Sequence, residues 1–272
     1  MKLDLHVHTT ASDGAWSPED VTRTAAERGL DALAVTDHDT TAGCAAAIAL
    51  GADLNLQVIP GIEVSSSHAG RDIHVLGYFV DPAATELREH ERIARNRREE
   101  RMREMLAKLD GLGIEVPFEA VERAAGPDRV VLGRPHLAQA LVEGGHVASI
   151  SEAFDTLIAD NGPAFVSTHM LTPMDAIGII EAAGGLAVWA HPPGEMVQDL
   201  IDPMVEAGLR GMEVYRPRNR RDQMLRLENI CRSRGLFPTG GSDWHSPDGG
   251  AQLGDFFVTS EEVATFLDAG GL

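Results

Sequence analysis

LDLHVHTTASD, residues 3–13, decides how the rest of the chain is read. Leu3, Leu5 and Val7 alternate with Asp4, His6 and His8, the period of a half-buried strand, which predicts two histidines side by side on one face. Outward from this strand the signals alternate. Ser17, Pro18, Glu19 and Asp20 supply an N-cap, a first-turn proline and early acids for a helix that Gly29 ends. DALAVT is a second strand with Asp37 and His38 just past its end, and a helix of small residues follows around Ala45 to Leu50. LQVIP leads to Gly61 and Glu63, and DIHVLGYFV carries His74. Strands alternating with helices imply βα units and a mainly parallel sheet.

From about Ala83 the texture changes. Glu86, Arg88, Glu89, Glu91, Arg92, Arg95, Arg97, Arg98, Glu99, Glu100, Arg101, Arg103 and Glu104 interleave opposite charges at i, i+3 and i+4, which reads as a solvated, salt-bridge-laced helix face. No strand-like run appears before Thr172, where Pro173 and Asp175 cap another helix and the βα rhythm resumes. LAVWA ends in His191, GMEVY follows, and LFPTG leads into Gly241, Ser242, Asp243, Trp244 and His245. The expected organisation is a discontinuous barrel domain, residues 1–82 and 172–272, with an inserted mainly helical subdomain over 83–171.

Composition limits what such a chain does. At 272 residues and 29.2 kDa, 43% hydrophobic and 24% charged, it is a globular chain, not a disordered or collagen-like one. Cys44 and Cys231 are too few for a disulfide framework, the start MKLDLHVHTT lacks a secretory signal, and no segment approaches the ~20 apolar residues of a membrane span. A cytoplasmic location is expected. The formal charge of −19 opposes a stable complex with DNA, so a phosphorylated ligand needs a local positive device. Bound divalent metals are such a device. Arginine outnumbers lysine heavily, the lysines being Lys2 and Lys108.

His6, His8, His38, His74, His191 and His245 stand at ends or polar faces of these strands, accompanied by Asp13, Glu63 and Asp243. In a parallel α/β barrel the strand ends converge on one rim, and imidazole with carboxylate suits zinc, manganese or iron. Burying so many of these groups unpaired is costly, and two or three divalent ions satisfy them together. Glu63 is suited to bridge two cations, with a hydroxide between them as nucleophile.

The run DLHVHTTASDG, TDHDT, PGIEVS, DIHVLGY, AHP and GSDWH resembles the PHP (polymerase and histidinol phosphatase) superfamily, and its small phosphoesterase branch in particular, over nearly the whole chain. GRPHLAQALVEGG and NGPAFVS resemble segments of the same branch, while AHPPGEM and Trp244 depart from its AHPG turn and frequent Phe. The resemblance implies a distorted (β/α)7, TIM-like barrel with an inserted helical subdomain. It implies a metal centre of His6, His8, Asp13, His38, Glu63, His74, His191, Asp243 and His245, with manganese favoured and iron or zinc as alternatives. By analogy His6, His8, Glu63 and Asp243 hold one ion, Asp13, His38 and His191 surround another, and Glu63, His74 and His245 complete the cluster. Asp13, Glu63, His191 and Asp243 are the expected catalytic groups. Arg134 and His136 resemble insert residues that hold phosphate, with His136 also a proton donor to the leaving oxygen. Arg216, Arg218, Arg220 and Arg221, after GMEVY, read as solvated helix surface or, alternatively, as lining the pocket mouth and holding a second phosphate, with Arg216 the substrate-binding candidate.

The activity implied is metal-dependent hydrolysis of small nucleotide phosphomonoesters, such as nucleoside 3',5'-bisphosphates or short RNA ends. Alternatives are a histidinol-phosphate-type phosphatase, an amidohydrolase-type enzyme, and a catalytically silent metal-binding module. His68, His90, His146 and His169 match no ligand position and read as surface or locally bonded groups. Cys44, Trp16, Trp189 and Trp244 read as packing residues, and oligomeric state is left open.

Overall fold

A computed structural model describes residues 1–160, 162–167, 171–247 and 251–272. The chain runs β1 (Lys2–Val7), α1 (Pro18–Glu27), β2 (Ala32–Val35), α2 (Cys44–Leu54), β3 (Gln57–His68) and β4 (Arg71–Tyr78). Helices α3 (Thr85–Gly111), α4 (Phe118–Ala125), α5 (Arg134–Glu143) and α6 (Ile150–Ala153) follow, the last continuing into a π-helical turn over Phe154–Ile158. Then come α7 (Pro173–Ala182), β5 (Leu186–Trp189), α8 (Val197–Glu206), β6 (Gly211–Tyr215), α9 (Arg221–Arg234), β7 (Phe237–Gly240), β8 (Val258–Thr259) and α10 (Ala264–Gly270). Helix α1 is capped as the sequence predicts, Ser17 accepting from the Asp20 N–H.

The strands form one eight-stranded sheet in the order β7-β6-β5-β4-β3-β2-β1-β8, curled into a nearly closed α/β barrel. It closes where the chain beyond β7 returns to β1: the His8 N–H donates to the Trp244 carbonyl (3.0 Å) and the Asp243 N–H to the His6 carbonyl (2.9 Å). β1 to β3 run parallel, as do β5 to β7. β4 departs from the expected βα rhythm. It pairs antiparallel with both β3 and β5, because a tight turn, with Ala69 and Gly70 at φ 49° and 77°, joins it to β3 where a parallel partner needs a crossover. β8 pairs antiparallel with β1, which brings the strand count to eight.

The simple alternation read from β1 also needs correction. Leu3 and Leu5 belong to the barrel interior with Ala32, Ala34, Ile59, Leu76, Tyr78 and Val188, whereas Val7 joins Val21, Leu33 and Val35 in the layer under α1 and α2. Between Asp4 and Val7 the register against β2 slips by a bulge-like irregularity. One extra residue reverses which side chains point inward, and here it turns His6 and His8 into the barrel. Asp4 secures the slip, its Oδ1 accepting the Ser242 N–H (2.8 Å) from the closing segment. A Cβ on Gly241 would stand 2.4 Å from the His6 backbone nitrogen, so this close approach requires glycine.

Helices α3 to α6 build a separate core around Met105, Leu109, Val121, Leu137, Leu141 and Ile158. They are tied to the barrel rim: the Val130 N–H donates to the Ala11 carbonyl (2.8 Å), and Arg98 reaches Asp39 and Ser65. Among the described residues no helix is long and apolar enough to cross a membrane.

Candidate metal centre

Five imidazoles surround one buried carboxylate. Glu63, inward-facing on β3 and fully buried, has His74 Nδ1 (2.9 Å) and His191 Nε2 (3.0 Å) at Oε1. His6 Nε2 (3.2 Å), His8 Nε2 (3.2 Å) and His38 Nδ1 (3.1 Å) lie at Oε2. These residues come from β1, the end of β2, β3, β4 and the end of β5, so barrel topology assembles what the sequence scatters. Asp243 Oδ1 stands 3.4 Å from both His6 Nε2 and His8 Nε2, and Asp13 Oδ1 lies 3.6 Å from His8 Nδ1 and 3.5 Å from His245 Nε2.

Donor atoms gather in three groups, each with its members within 4.8 Å of one another: His6, His8, Glu63 and Asp243; His8, Asp13, His38 and His245; and His38, Glu63 and His74. The first matches the set expected for one ion. In the others His245, where His191 was expected, joins Asp13 and His38 together with His8, and His38 stands with Glu63 and His74, while His191 belongs to none of the three. His245 stacks on His8 (centroids 4.0 Å apart) beside Asp13, and His191 lies against Glu63 and the His74 ring (5.1 Å). His191 and Asp243 both adopt positive φ, 30° and 56°, a costly conformation for non-glycine residues that recurs at functional sites.

The electrostatics call for cations. Burial disfavours a charged His6, but Glu213, Asp243 and Glu63 outweigh it and hold its pKa well above the usual imidazole range. Burial is likewise outweighed at His8 by Asp243, Glu63 and Asp13, which lift it to about 10. Glu63 and Asp243 lie well below the ordinary carboxylate range despite burial, because imidazoles surround them. At His38 burial wins and pushes the pKa down to about 3. His6 Nε2, His8 Nε2, His38 Nδ1 and Glu63 Oε2 are buried without hydrogen-bond partners. Unpaired donor atoms converging among anions fit divalent cations. Ligation requires neutral imidazole, and without metal His6 and His8 hold protons at pH 7, so loading must release them. Adding manganese(II) to stripped protein in weak buffer with an indicator dye is expected to release protons, with apparent affinity rising as pH rises through neutrality. Loading without proton release contradicts this electrostatic account.

Helices α3 and α5 contribute side chains to the cavity beside these donors. A cavity of about 200 Å³ is lined by Asp13, Glu63, His74, His191 and Asp243 together with Arg98, Arg101, Arg134 and Phe154. Arg134 bonds Asp160 (2.7 Å) and approaches Asp72 (3.8 Å), while Arg101 bonds Asp72 (3.0 Å) and the Val166 carbonyl (2.7 Å). His136 caps α5, its Nδ1 accepting the Gly133 N–H (3.1 Å), and burial pushes its pKa down to about 4. It is therefore neutral at pH 7 and ill suited to the proton-donor role expected of it. Arg216, expected at the pocket mouth, is engaged by Asp243 Oδ2 (2.9 Å) and Glu213 Oε2 (3.3 Å), so its charge serves the site's own carboxylates.

Several groups were invisible to sequence reasoning. Asp37 accepts from the Thr9 N–H (2.7 Å), Thr9 Oγ1 (2.7 Å) and Ser12 Oγ (2.6 Å), fixing the loop that carries Asp13. Asp39 is fully buried against Arg98 (2.7 Å) and His90 (2.8 Å). Arg98, read as part of a solvated helix face, is thus corrected to a buried group, and His90, read as a surface or locally bonded group, is a buried one bonded to Asp39. The buried stripe of α3, Leu87, His90, Ala94, Arg98, Met102, Met105 and Leu109, has helical spacing, and its two polar members hid it among the charges. Trp16 and Trp244 pack on each other (4.6 Å), and Cys44 is a small core residue, both as read. His169 lies outside the described residues.

Comparison with known proteins places this geometry in context. Residues 4–132 match the model of the PHP domain. A 3',5'-nucleoside bisphosphate phosphatase of Chromobacterium violaceum is 35% identical over 93% of this chain and 90% of its own. A 5'-3' exoribonuclease of Haemophilus influenzae is 34% identical over 93% of each chain. A phosphoribosyl 1,2-cyclic phosphate 1,2-diphosphodiesterase of Eggerthella lenta is 37% identical over 90% of this chain and 95% of its own. A crystal structure from Bifidobacterium adolescentis, assigned as a metal-dependent phosphoesterase, superposes with a TM-score of 0.87 at 28% identity, covering 98% of this chain and 95% of that one.

Proposed function

This chain belongs to the PHP domain family, and from that premise we propose that it hydrolyses phosphomonoesters of small nucleotides, nucleoside 3',5'-bisphosphates or short 5'-phosphorylated RNA ends. It is a metal-dependent phosphoesterase; the substrate class is the proposal. The observation that carries it is Glu63 among five imidazoles in a small cavity that Arg98, Arg101 and Arg134 also line. The names of the Chromobacterium and Haemophilus relatives support the nucleotide class.

His6, His8, Asp13, His38, Glu63, His74, His191, Asp243 and His245 would hold two or three divalent cations, with manganese favoured. Such cations supply an acidified water at neutral pH and offset phosphoryl charge. The remaining work falls to the chain. Arg134 and Arg101 line the same cavity as the histidines and would offer guanidinium groups to a phosphate there, a group that arginine can hold bidentately. Their partners Asp72 and Asp160 keep the two cations in place when no anion is present. Helices α3 and α5, near the rim contacts of Arg98 and Val130, bring Arg98, Arg101 and Arg134 to the cavity lining. Neutral His136 stands near Asp13, where its remaining N–H is a hydrogen-bond donor.

Metal analysis of the purified protein, then turnover of nucleoside bisphosphates, 5'-phosphorylated short RNA, a cyclic phosphodiester and p-nitrophenyl acetate before and after stripping, tests the proposal. Metal-dependent release of phosphate from the first two is expected, with loss in Asp13→Ala and His191→Ala. Preference for the acetate favours the amidohydrolase reading, and undiminished turnover after stripping overturns both. Arg134→Ala is expected to raise KM for a bisphosphate about tenfold while kcat changes little, as for loss of a charge-assisted contact of roughly 1.4 kcal/mol. An unchanged KM removes Arg134 from substrate binding.

A further inference from the structure

β6 contributes no member of the metal-ligand set, yet its inward-facing Glu213 touches the supports of several. Met212 and Val214 point out into the helical layer, and the two-residue period sends Glu213 inward, where it is fully buried. Its Oε1 lies 2.9 Å from His6 Nδ1. Its Oε2 accepts the backbone N–H of His191 at 2.8 Å and stands 3.3 Å from Arg216 Nε, while Arg216 Nη2 donates to Asp243 Oδ2 at 2.9 Å. One carboxylate thus reaches groups from β1, from the segment after β5 and, through an arginine, from the segment after β7.

Each contact has a consequence. In the neutral imidazole that ligation requires, a carboxylate at Nδ1 keeps the proton on that nitrogen and frees Nε2 for an ion; Nε2 lies 3.2 Å from Glu63 Oε2 and 3.4 Å from Asp243 Oδ1 and is buried without a hydrogen-bond partner. The backbone of His191, held at φ 30°, persists only because surrounding contacts fix it, and the bond to Oε2 is one of them. Asp243, at φ 56°, is gripped through Arg216.

We infer that Glu213 is a positioning residue that sets the tautomer of His6 and holds His191 and Asp243 in register, so that the His6, His8, Glu63 and Asp243 group is preformed for a divalent ion. This rests on the metal-dependent reading above. Glu213→Gln separates the roles. His6 Nδ1 and the His191 N–H meet different oxygens of Glu213, and an amide in the same place keeps only one of those two acceptors, so it cannot accept from both. Its NH2 forces either the wrong His6 tautomer or a clash of donors.

The experiment is a manganese(II) titration of stripped wild-type, Glu213→Gln and Glu213→Asp proteins, read as ions bound per chain and affinity, beside urea denaturation of the stripped forms. Glu213→Gln is expected to bind its weakest retained ion 10–100-fold less tightly and to lose about one ion per chain at wild-type saturating metal. Glu213→Asp, which keeps the charge but falls short of one partner, is expected to lie between. A merely structural role predicts lower urea stability with unchanged affinity, and that result overturns the inference. Should neither variant fold, nitrogen-15 NMR of zinc-loaded wild-type protein, with His6 identified by its absence in His6→Asn, decides it: protonated Nδ1 supports the inference and unprotonated Nδ1 overturns it. If wild-type protein itself binds no metal, the underlying reading fails instead, a distinguishable outcome.

Discussion

Glu63→Gln is expected to lower phosphoester turnover by roughly 10³-fold or more, a loss of about 4 kcal/mol in barrier, and to reduce the metal content of the purified protein. Both carboxylate oxygens are in use: Oε1 meets His74 and His191, and Oε2 meets His6, His8 and His38. An amide replaces one oxygen with an NH2 that cannot ligate a cation, whichever way it is turned. It also removes the negative charge that offsets neighbouring imidazolium groups or metal ions. Two groups of donor atoms share Glu63, so a single substitution weakens both. Substitution at His245, which belongs to one group, should cost less. Metal analysis and steady-state kinetics check this together, with circular dichroism to confirm the fold. Retention of a tenth of wild-type turnover, or a full metal complement, contradicts the central position assigned to Glu63.

That centre was legible in the sequence because its members are rare residue types at strand ends, where an α/β barrel gathers side chains. Its internal arrangement was not. Whether His191 or His245 sits beside Asp13 depends on how the chain turns after β5 and β7, and both turns use positive φ at a non-glycine residue. The orientation of β4 was hidden for a related reason: alternation identifies a strand but not its direction, and the deciding signal was the short turn at Ala69 and Gly70. In β1 the alternation pointed His6 and His8 to the correct side only because a slipped residue lies between the leucines and the histidines. Asp4, Asp37 and Glu213 went unread because an acidic residue on a strand has no sequence signature for the partner it will meet across a barrel.

The largest effect on stability is expected at the seam between insert and barrel. Arg98→Met should lower the unfolding free energy by about 3–5 kcal/mol, the range for removing one member of a buried ion pair. Arg98 donates from Nε to Asp39 Oδ2 (2.7 Å), from Nη1 to the Leu132 carbonyl (2.9 Å) and from Nη2 to Ser65 Oγ (2.8 Å), so one guanidinium joins three segments. With it gone, fully buried Asp39 keeps only His90 and the Ser65 N–H as partners for its charge. Methionine fills much of the volume, which isolates the charge from the packing. Asp39 has φ 54°, a conformation that asparagine tolerates and that branched residues resist, so Asp39→Asn is the appropriate second change. The double variant should recover a large part of the loss, because no uncompensated carboxylate remains. Urea denaturation of the four proteins of this cycle measures the coupling. The exposed Arg92–Glu89 pair (2.6 Å) on the same helix serves as the reference, with Arg92→Ala expected to change stability by less than about 1 kcal/mol. If Arg98→Met costs no more than Arg92→Ala, the buried Arg98–Asp39 contact contributes no more than a solvated pair, and helices α3 to α6 are held to the barrel by their other contacts, among them the Val130–Ala11 and Arg101–Asp72 bonds.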